Sequence, residues 1–361
     1  MRLADVRGHD RVRSILSRAL ARDRLPPALL FAGPEGIGKK LLALAVAQAA
    51  LCEQAPAAEP CGACRACRKV SAALAPDRLE ALRQEADRHP DEDVWRNFRL
   101  HPDLVLAEGW WLTKTGRQRP EPEIRVGQVR DLIAEIAGAP FEARRRVFVV
   151  DDAHSMNDAA QNALLKSLEE PAPRSHVILV SAAPLGLRQT IRSRCQLLRF
   201  GPLTRSAVAA HLAEGRGVPE EEARKQAALA GGSLGAALTF EAESYAQMRE
   251  GLVELLERVG SLDPRGRMEA AEALEDAEDA GLLLTTLRSL LRDLLALRAG
   301  ASSEALVHPD LAERLAPLAR GPLGERAAVL AERAGDARLA LGGFANKLLT
   351  FDLLVDSLGG D

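Results

Sequence analysis

Aromatic residues are scarce in this chain: eight Phe, three Trp and one Tyr, or 3% of 361 residues. A core without aromatics must rest on Leu, Ala, Val and Ile, which favours helices and a parallel sheet over an aromatic-rich β-sandwich. The formal net charge of -3 excludes a globally basic nucleic-acid binder, so any contact with nucleic acid falls to a local patch or a partner. The opening residues, MRLADVRGHD, lack an apolar signal core. The longest apolar run, LLALAVAQAALC, is too short to span a bilayer. A cytoplasmic protein outside any membrane is the expectation. Cysteine is also sparse, but four of the five fall within sixteen residues. In a reducing compartment that clustering reads as metal ligation rather than disulfides.

Hydrophobic residues make up 47% and charged residues 27%, an ordinary globular balance for two or three domains at this length. LPPALLFAG predicts a buried strand that runs into Gly33-Pro34-Glu35-Gly36-Ile37-Gly38-Lys39-Lys40, and KLLALAVAQAALC predicts a helix leaving it. Strand, glycine loop and helix are the setting of a phosphate-binding loop, in which backbone N–H groups at a helix N-terminus cradle phosphates and Lys39 adds a point charge. The pattern G-x4-G-K ends in Ser or Thr, whose hydroxyl holds magnesium. Here that position is Lys40. The fold inference survives the substitution; turnover is what it threatens.

Further strands are predicted at HPDLVLAE, RRRVFVVDD and SHVILVSAA, alternating with helices at VGQVRDLIAEIAG and NDAAQNALLKSLEEP. This alternation predicts an α/β domain with a parallel sheet. The run Val147 to Val150 ends in Asp151-Asp152. The first carboxylate would orient magnesium; the second stands where a longer Glu usually activates water. Residues 72–100 are charged and helical in pattern, and read as a surface insertion. From Gly201 onward the pattern is helical. The expected organisation is therefore an α/β domain at 1–202, a small helical lid domain at 203–242 and an all-α domain at 243–361. Amphipathic helices are expected at 281–300 and 342–359, whose Leu-rich stripes read mostly as bundle core; were this domain to pack against others in an assembly, Phe344 and Phe351 would be candidates for an exposed apolar patch.

Cys52-x8-Cys61-x2-Cys64-x2-Cys67 can close a tetrahedral thiolate shell around Zn2+, with no open position for catalysis. The site is expected to be structural. Cys195 stands apart and reads as a buried thiol. Trp95, Trp110 and Trp111 read as local core of the neighbouring segment.

These motifs together resemble the clamp-loader subunits of bacterial DNA polymerase III, members of the AAA+ family. The resemblance is carried by the phosphate loop, the inserted cysteine module, HPD at 101–103, NALLKSLEEP at 162–171, and Ser193-Arg194-Cys195. It covers residues 1 to about 240. It implies a P-loop AAA+ domain with a zinc module, a lid and a helical collar, in a hetero-pentameric ring with other loader subunits. That ring would meet the sliding clamp and primed DNA. It also implies that Arg194 serves in trans as an arginine finger toward a neighbour's ATP. The chain departs from the motor pattern in three places: Lys40, Ala182 where a polar sensor would stand, and Gly231-Gly232-Ser233-Leu234-Gly235-Ala236-Ala237, where a lid arginine is absent. These departures resemble a non-motor, or stator, branch of that family. They imply no intrinsic ATPase and a degenerate nucleotide site at Gly33, Gly36, Gly38, Lys39, Lys40, Asp151 and Asp152, with ATP or ADP binding weak or absent. The competing readings are an active AAA+ ATPase subunit and a zinc-dependent DNA-binding protein. The slight acidity disfavours the latter.

Overall fold

The computed structural model describes residues 2–88, 96–112, 118–239, 242–277, 279–341 and 345–360. It divides into two compact units, Met1–Pro202 and Leu203–Asp361.

The first unit is built on a six-stranded sheet. Its strands are β1 (Ala28–Ala32), β2 (Asn97–His101), β3 (Leu104–Ala107), β6 (Arg146–Val150), β7 (Ser175–Ser181) and β8 (Gln196–Arg199), in the order β2-β3-β6-β7-β1-β8. A separate two-stranded ribbon pairs β4 (Trp110–Leu112) with β5 (Gln118–Glu123). The helices are α1 (Asp10–Ala21), α2 (Lys39–Leu51), α3 (Arg65–Ala73), α4 (Pro76–Arg88), α5 (Val126–Ile136), α6 (Asp158–Glu169) and α7 (Gln189–Arg192).

Every residue of β1, β3, β6 and β7 is buried, because helices cover both faces of the sheet. Alternate side chains divide between two cores. Leu29, Phe31, Val147, Val149, Ile178 and Val180 pack with α1 and α2. Leu30, Phe148, Val150, Val177 and Leu179 pack with α5 and α6. The period-2 alternation of a strand thus yields three layers from continuous apolar runs.

The structure departs from the expected insertion at its C-terminal end. Residues 97–101 belong to the main sheet as β2, antiparallel to β3, with Phe98 and Leu100 buried. The otherwise parallel sheet therefore has one antiparallel edge. Strand β8 and the β4–β5 ribbon were not expected from the pattern. Trp110 and Trp111 lie in β4; their side chains and Trp95 fall outside the described residues.

The second unit is helical throughout its described residues: α8 (Arg205–Arg216), α9 (Glu220–Leu229), α10 (Leu234–Leu238), α11 (Ala242–Arg258), α12 (Pro264–Glu275), α13 (Ala280–Arg298), α14 (Ala312–Arg320), α15 (Pro322–Leu341) and α16 (Lys347–Gly359). Side-chain caps start many of them, including Thr204, Asp263, Asp279 and Asn346, each satisfying a helix N–H that would otherwise lack a partner. One hydrophobic cluster joins Leu203, Val208, Leu212 and Ala237. A larger one is centred on α13, α15 and α16. Phe351 is fully buried in that cluster, which corrects its expected exposure: it shares the inward stripe of α16 with Leu354, Val355 and Leu358. The exposed apolar side chains of this helix are Leu349 and Leu353, one turn apart. Phe344 lies outside the described residues. Among the described residues, no helix is long and apolar enough to cross a membrane.

Candidate functional site

The loop between β1 and α2 is braced on three sides. A Cβ at Gly33 would lie 2.3 Å from the Phe200 carbonyl oxygen, so glycine is required there by the close approach of the chain entering from β8. Gly36 and Gly38 take φ of 69° and 94°, left-handed conformations that favour glycine. A ring nitrogen of His9 stands 2.8 Å from the Ile37 carbonyl, and its ring packs edge-on against Phe200. These residues shape the turn that starts α2 at Lys39.

Lys39 is 6% exposed, and its ammonium donates to the Pro34 carbonyl within the loop. Burial lowers its pKa, opposed by Asp151, Asp152 and Glu35. Lys40 turns the other way. Its Nζ donates to Glu108 and stands 2.8 Å from Asp151 Oδ2. Burial alone would lower its pKa; Asp151 and Glu108 outweigh this and hold it above the ordinary lysine value. Glu108, at the end of β3, also receives a two-pronged contact from Arg83 of α4, Nε at 2.9 Å and Nη2 at 2.8 Å, with Arg96 at 3.4 Å. Burial would raise its pKa, but the Arg83 and Lys40 contacts carry it down to about 2. The structure thus brings together Gly33, Gly36, Gly38, Lys39, Lys40, Asp151 and Asp152, and adds Glu108. The sequence shows Glu108 only as an acid closing an apolar strand; that this strand neighbours the strand of Asp151 is given by the sheet pairing.

A phosphate-loop fold implies a magnesium ion between the residue at position 40 and the first carboxylate. The residues present do not fit one. No hydroxyl stands at position 40, and the Asp151 carboxylate already accepts from the Lys40 ammonium.

Asp152 sits at φ 46°. Burial, then the charges of Asp151 and Glu35, push its carboxyl up to about 7, against the pull of Lys40 and Lys39. A folded pKa above the unfolded value contributes stability that is complete below about pH 4 and lost as pH rises through 7. Asp152→Asn should therefore stabilise the chain by roughly 2–4 kcal/mol at pH 8, with the gain growing between about pH 4 and 7. Asn also tolerates this backbone conformation. Equilibrium denaturation at pH 5 and 8 reads the difference; equal effects at both would refute the assignment.

The four clustered cysteines converge. Their sulfurs all lie within 4.8 Å of one another, with Cys52–Cys64 at 3.9 Å and Cys61–Cys67 at 4.0 Å. A tetrahedral Zn2+ with Zn–S bonds of about 2.3 Å requires sulfur separations of about 3.8 Å. The residues fit. Backbone N–H groups of Cys61, Cys64 and Cys67 approach the sulfurs of Cys52, Cys61 and Cys64 at 3.3–3.4 Å. Such donors favour thiolates: N–H groups of Cys64 and Ala63 bring the Cys61 thiol down to about 6. Burial raises Cys52 and Cys67, whose ionisation calls for a cation. A bound zinc would be structural. Cys195 is buried and its thiol is pushed up to about 12 by burial.

The HPD residues serve this region rather than the phosphate loop. The Asp103 carboxylate accepts backbone N–H groups of Phe141, Glu142 and Ala143 at 2.6–2.8 Å. Glu142 in turn pairs with Lys69 of α3 and contacts His101 at 2.9 Å. The motif ties the loop before β6 to the cysteine module.

Arg194 lies between α7 and β8. Its guanidinium donates to the Thr190 carbonyl at 2.9 Å and pairs with Glu169 at 2.5 Å. Its side chain is 35% exposed. Ala182, just after β7, offers no polar group, and α10 begins on the Ser233 cap without an arginine.

Residues 8–204, more than half of the chain, match the family model described as DNA polymerase III, delta subunit. The chain is 33% identical over 244 residues to the delta' subunit of DNA polymerase III from Pseudomonas aeruginosa, covering 66% of this chain and 63% of that protein. It is 30% identical over 247 residues to the delta' subunit from Bacillus subtilis, covering 68% and 64%. The tau subunit from Bacillus subtilis is 30% identical over 207 residues, covering 57% and 30%. The chain thus spans just under two thirds of the delta' relatives and about a third of the tau relative. By the family match over its first unit, this chain belongs to the DNA polymerase III delta-subunit family of clamp-loader subunits.

Proposed function

We propose that this chain is a non-motor subunit of a replicative clamp loader: it keeps the shape of a nucleotide-binding domain without hydrolysing ATP, and supplies Arg194 to a neighbour that does. The observation that carries the first half is the Lys40 ammonium on Asp151. Hydrolysis in a phosphate-loop site depends on a metal held by the loop hydroxyl and this carboxylate, and here the lysine replaces one and neutralises the other. Ala182 and the arginine-free α10 remove two further contacts to a γ-phosphate. Its partners would be other loader subunits in a hetero-pentameric ring, with the sliding clamp and primed DNA reached through the complex. Residues 203–242 would form the lid and 243–361 the collar, where the exposed Leu349 and Leu353 suit a helix-to-helix contact.

One observation favours the alternative of an active ATPase subunit. The Asp152 carboxyl, raised to about 7, suits a general base. A base without a metal-oriented phosphate does not complete the site, so the non-motor reading is preferred. The purified chain should show no ATP hydrolysis above background, and Lys39→Ala should change nothing. Turnover that Lys39→Ala abolishes would replace this reading with the motor.

A further inference from the structure

We propose that Lys40 is a tethered substitute for the divalent cation, so that the site refuses a metal because a side-chain ammonium already holds the metal's place. The inference rests on reading the loop as a retained phosphate cradle. It goes beyond the loss of a hydroxyl, since a chain that merely lost it would leave Asp151 free to bind a cation.

Two carboxylates from adjacent strands, Asp151 after β6 and Glu108 after β3, converge on one nitrogen. Their side chains are 16% and 10% exposed, and Lys40 is 28% exposed. Unpaired, two such acids would repel each other at a cost set by low dielectric. A divalent ion is one solution and an ammonium is another. Mg2+ needs oxygen ligands at about 2.0–2.1 Å in near-octahedral geometry. It cannot share the Asp151 oxygen with a cation 2.8 Å away. The surrounding charges complete the replacement. Arg83 shares the Glu108 Oε1 oxygen with Lys40 and also reaches Oε2, which Arg96 contacts too, and Arg96 also pairs with Asp87 of α4 at 2.5 Å. The charge pattern that would need a metal is neutralised by the chain itself, through residues of α4 and the start of β2.

The inference predicts a gain of metal binding. In Lys40→Thr the ammonium is gone and a hydroxyl stands beside a freed Asp151. Mn2+ titrated into the isolated full chain and followed by electron paramagnetic resonance should show one added equivalent in Lys40→Thr. That equivalent should bind about tenfold or more tighter than anything in the wild-type chain, and Lys40→Thr/Asp151→Asn should lose it. The cysteine cluster is common to all variants and cancels in the comparison. Should threonine unfold the chain, the neutral Lys40→Gln, which also takes the ammonium off Asp151 while Glu108 keeps Arg83 and Arg96, must show the same equivalent. A wild-type chain that binds Mn2+ and loses it on Asp151→Asn would overturn the inference. So would a folded Lys40→Thr or Lys40→Gln without the added equivalent. These outcomes report on metal alone, whereas ATP turnover by the chain reports on the non-motor reading.

Discussion

Replacing Arg194 with alanine, in a loader assembled from this chain and its partner subunits, should lower ATP turnover at the facing neighbour by about 10³–10⁵-fold. That corresponds to roughly 4–7 kcal/mol of transition-state stabilisation. In the single chain the guanidinium rests on Glu169 and on the Thr190 carbonyl. The ion pair joins partly exposed side chains, 35% and 45% accessible, and such pairs contribute about 0–1 kcal/mol. Releasing Arg194 toward a neighbour's phosphates therefore costs far less than the finger contributes. Arg194→Lys should recover little, because an ammonium lacks the planar fork that matches phosphate oxygens. Glu169→Ala should leave turnover intact, since it removes only the resting partner. Gel filtration of each loader separates loss of the finger from loss of assembly. Full clamp- and DNA-stimulated turnover in an intact Arg194→Ala loader would end the finger assignment.

What could be read from the sequence followed the distance over which each signal acts. Strand β1, the loop and α2 are contiguous, and an apolar run flanked by glycines carries its own context. The cysteine module is nearly as local, closing within sixteen residues. Lys40 announced a lost hydroxyl by type alone, but its partner Glu108 is 68 residues away, set beside Asp151 by the pairing of β3 with β6, which nothing local to Lys40 foretells. Strand β2 was hidden because its alternation is short: buried Phe98 and Leu100 flank exposed Arg99 directly after a charged segment. Phe351 was misjudged because α16 carries apolar residues on more than one face, and composition does not say which face turns inward. Only the neighbouring α12 and α15, which pack against α16, decide that.

Removing zinc should be the largest perturbation to the stability of the first unit. The purified chain should carry one zinc, and Cys61→Ser/Cys64→Ser should carry none. In isolated zinc-finger peptides the metal supplies about 10 kcal/mol or more of folding free energy. Here the sheet retains its own core, so the loss concentrates on the module and what it anchors. Cys52 ends α2 and Cys67 lies in the first turn of α3, both buried. Buried Gln48 of α2 donates to the Cys67 carbonyl at 3.0 Å and to Ser71 at 2.9 Å. Without the metal, four sulfurs within 4.8 Å repel one another as thiolates or must all take protons, and the link between α2 and α3 falls back on the Gln48 hydrogen bonds and the packing of Val70. A fall in melting temperature of about 10 °C or more is expected, at about 2–4 °C per kcal/mol for a unit of this size. Amide exchange should quicken across residues 52–75 and at the C-terminal end of α2, while β6 and β7 stay protected. Because α2 begins at Lys39, loosening its far end should also weaken the pairing of Lys40 with Asp151. A chain purified without zinc, whose melting and exchange are indifferent to both serines, would show that the cysteines pack as plain thiols and that the module stands without a metal.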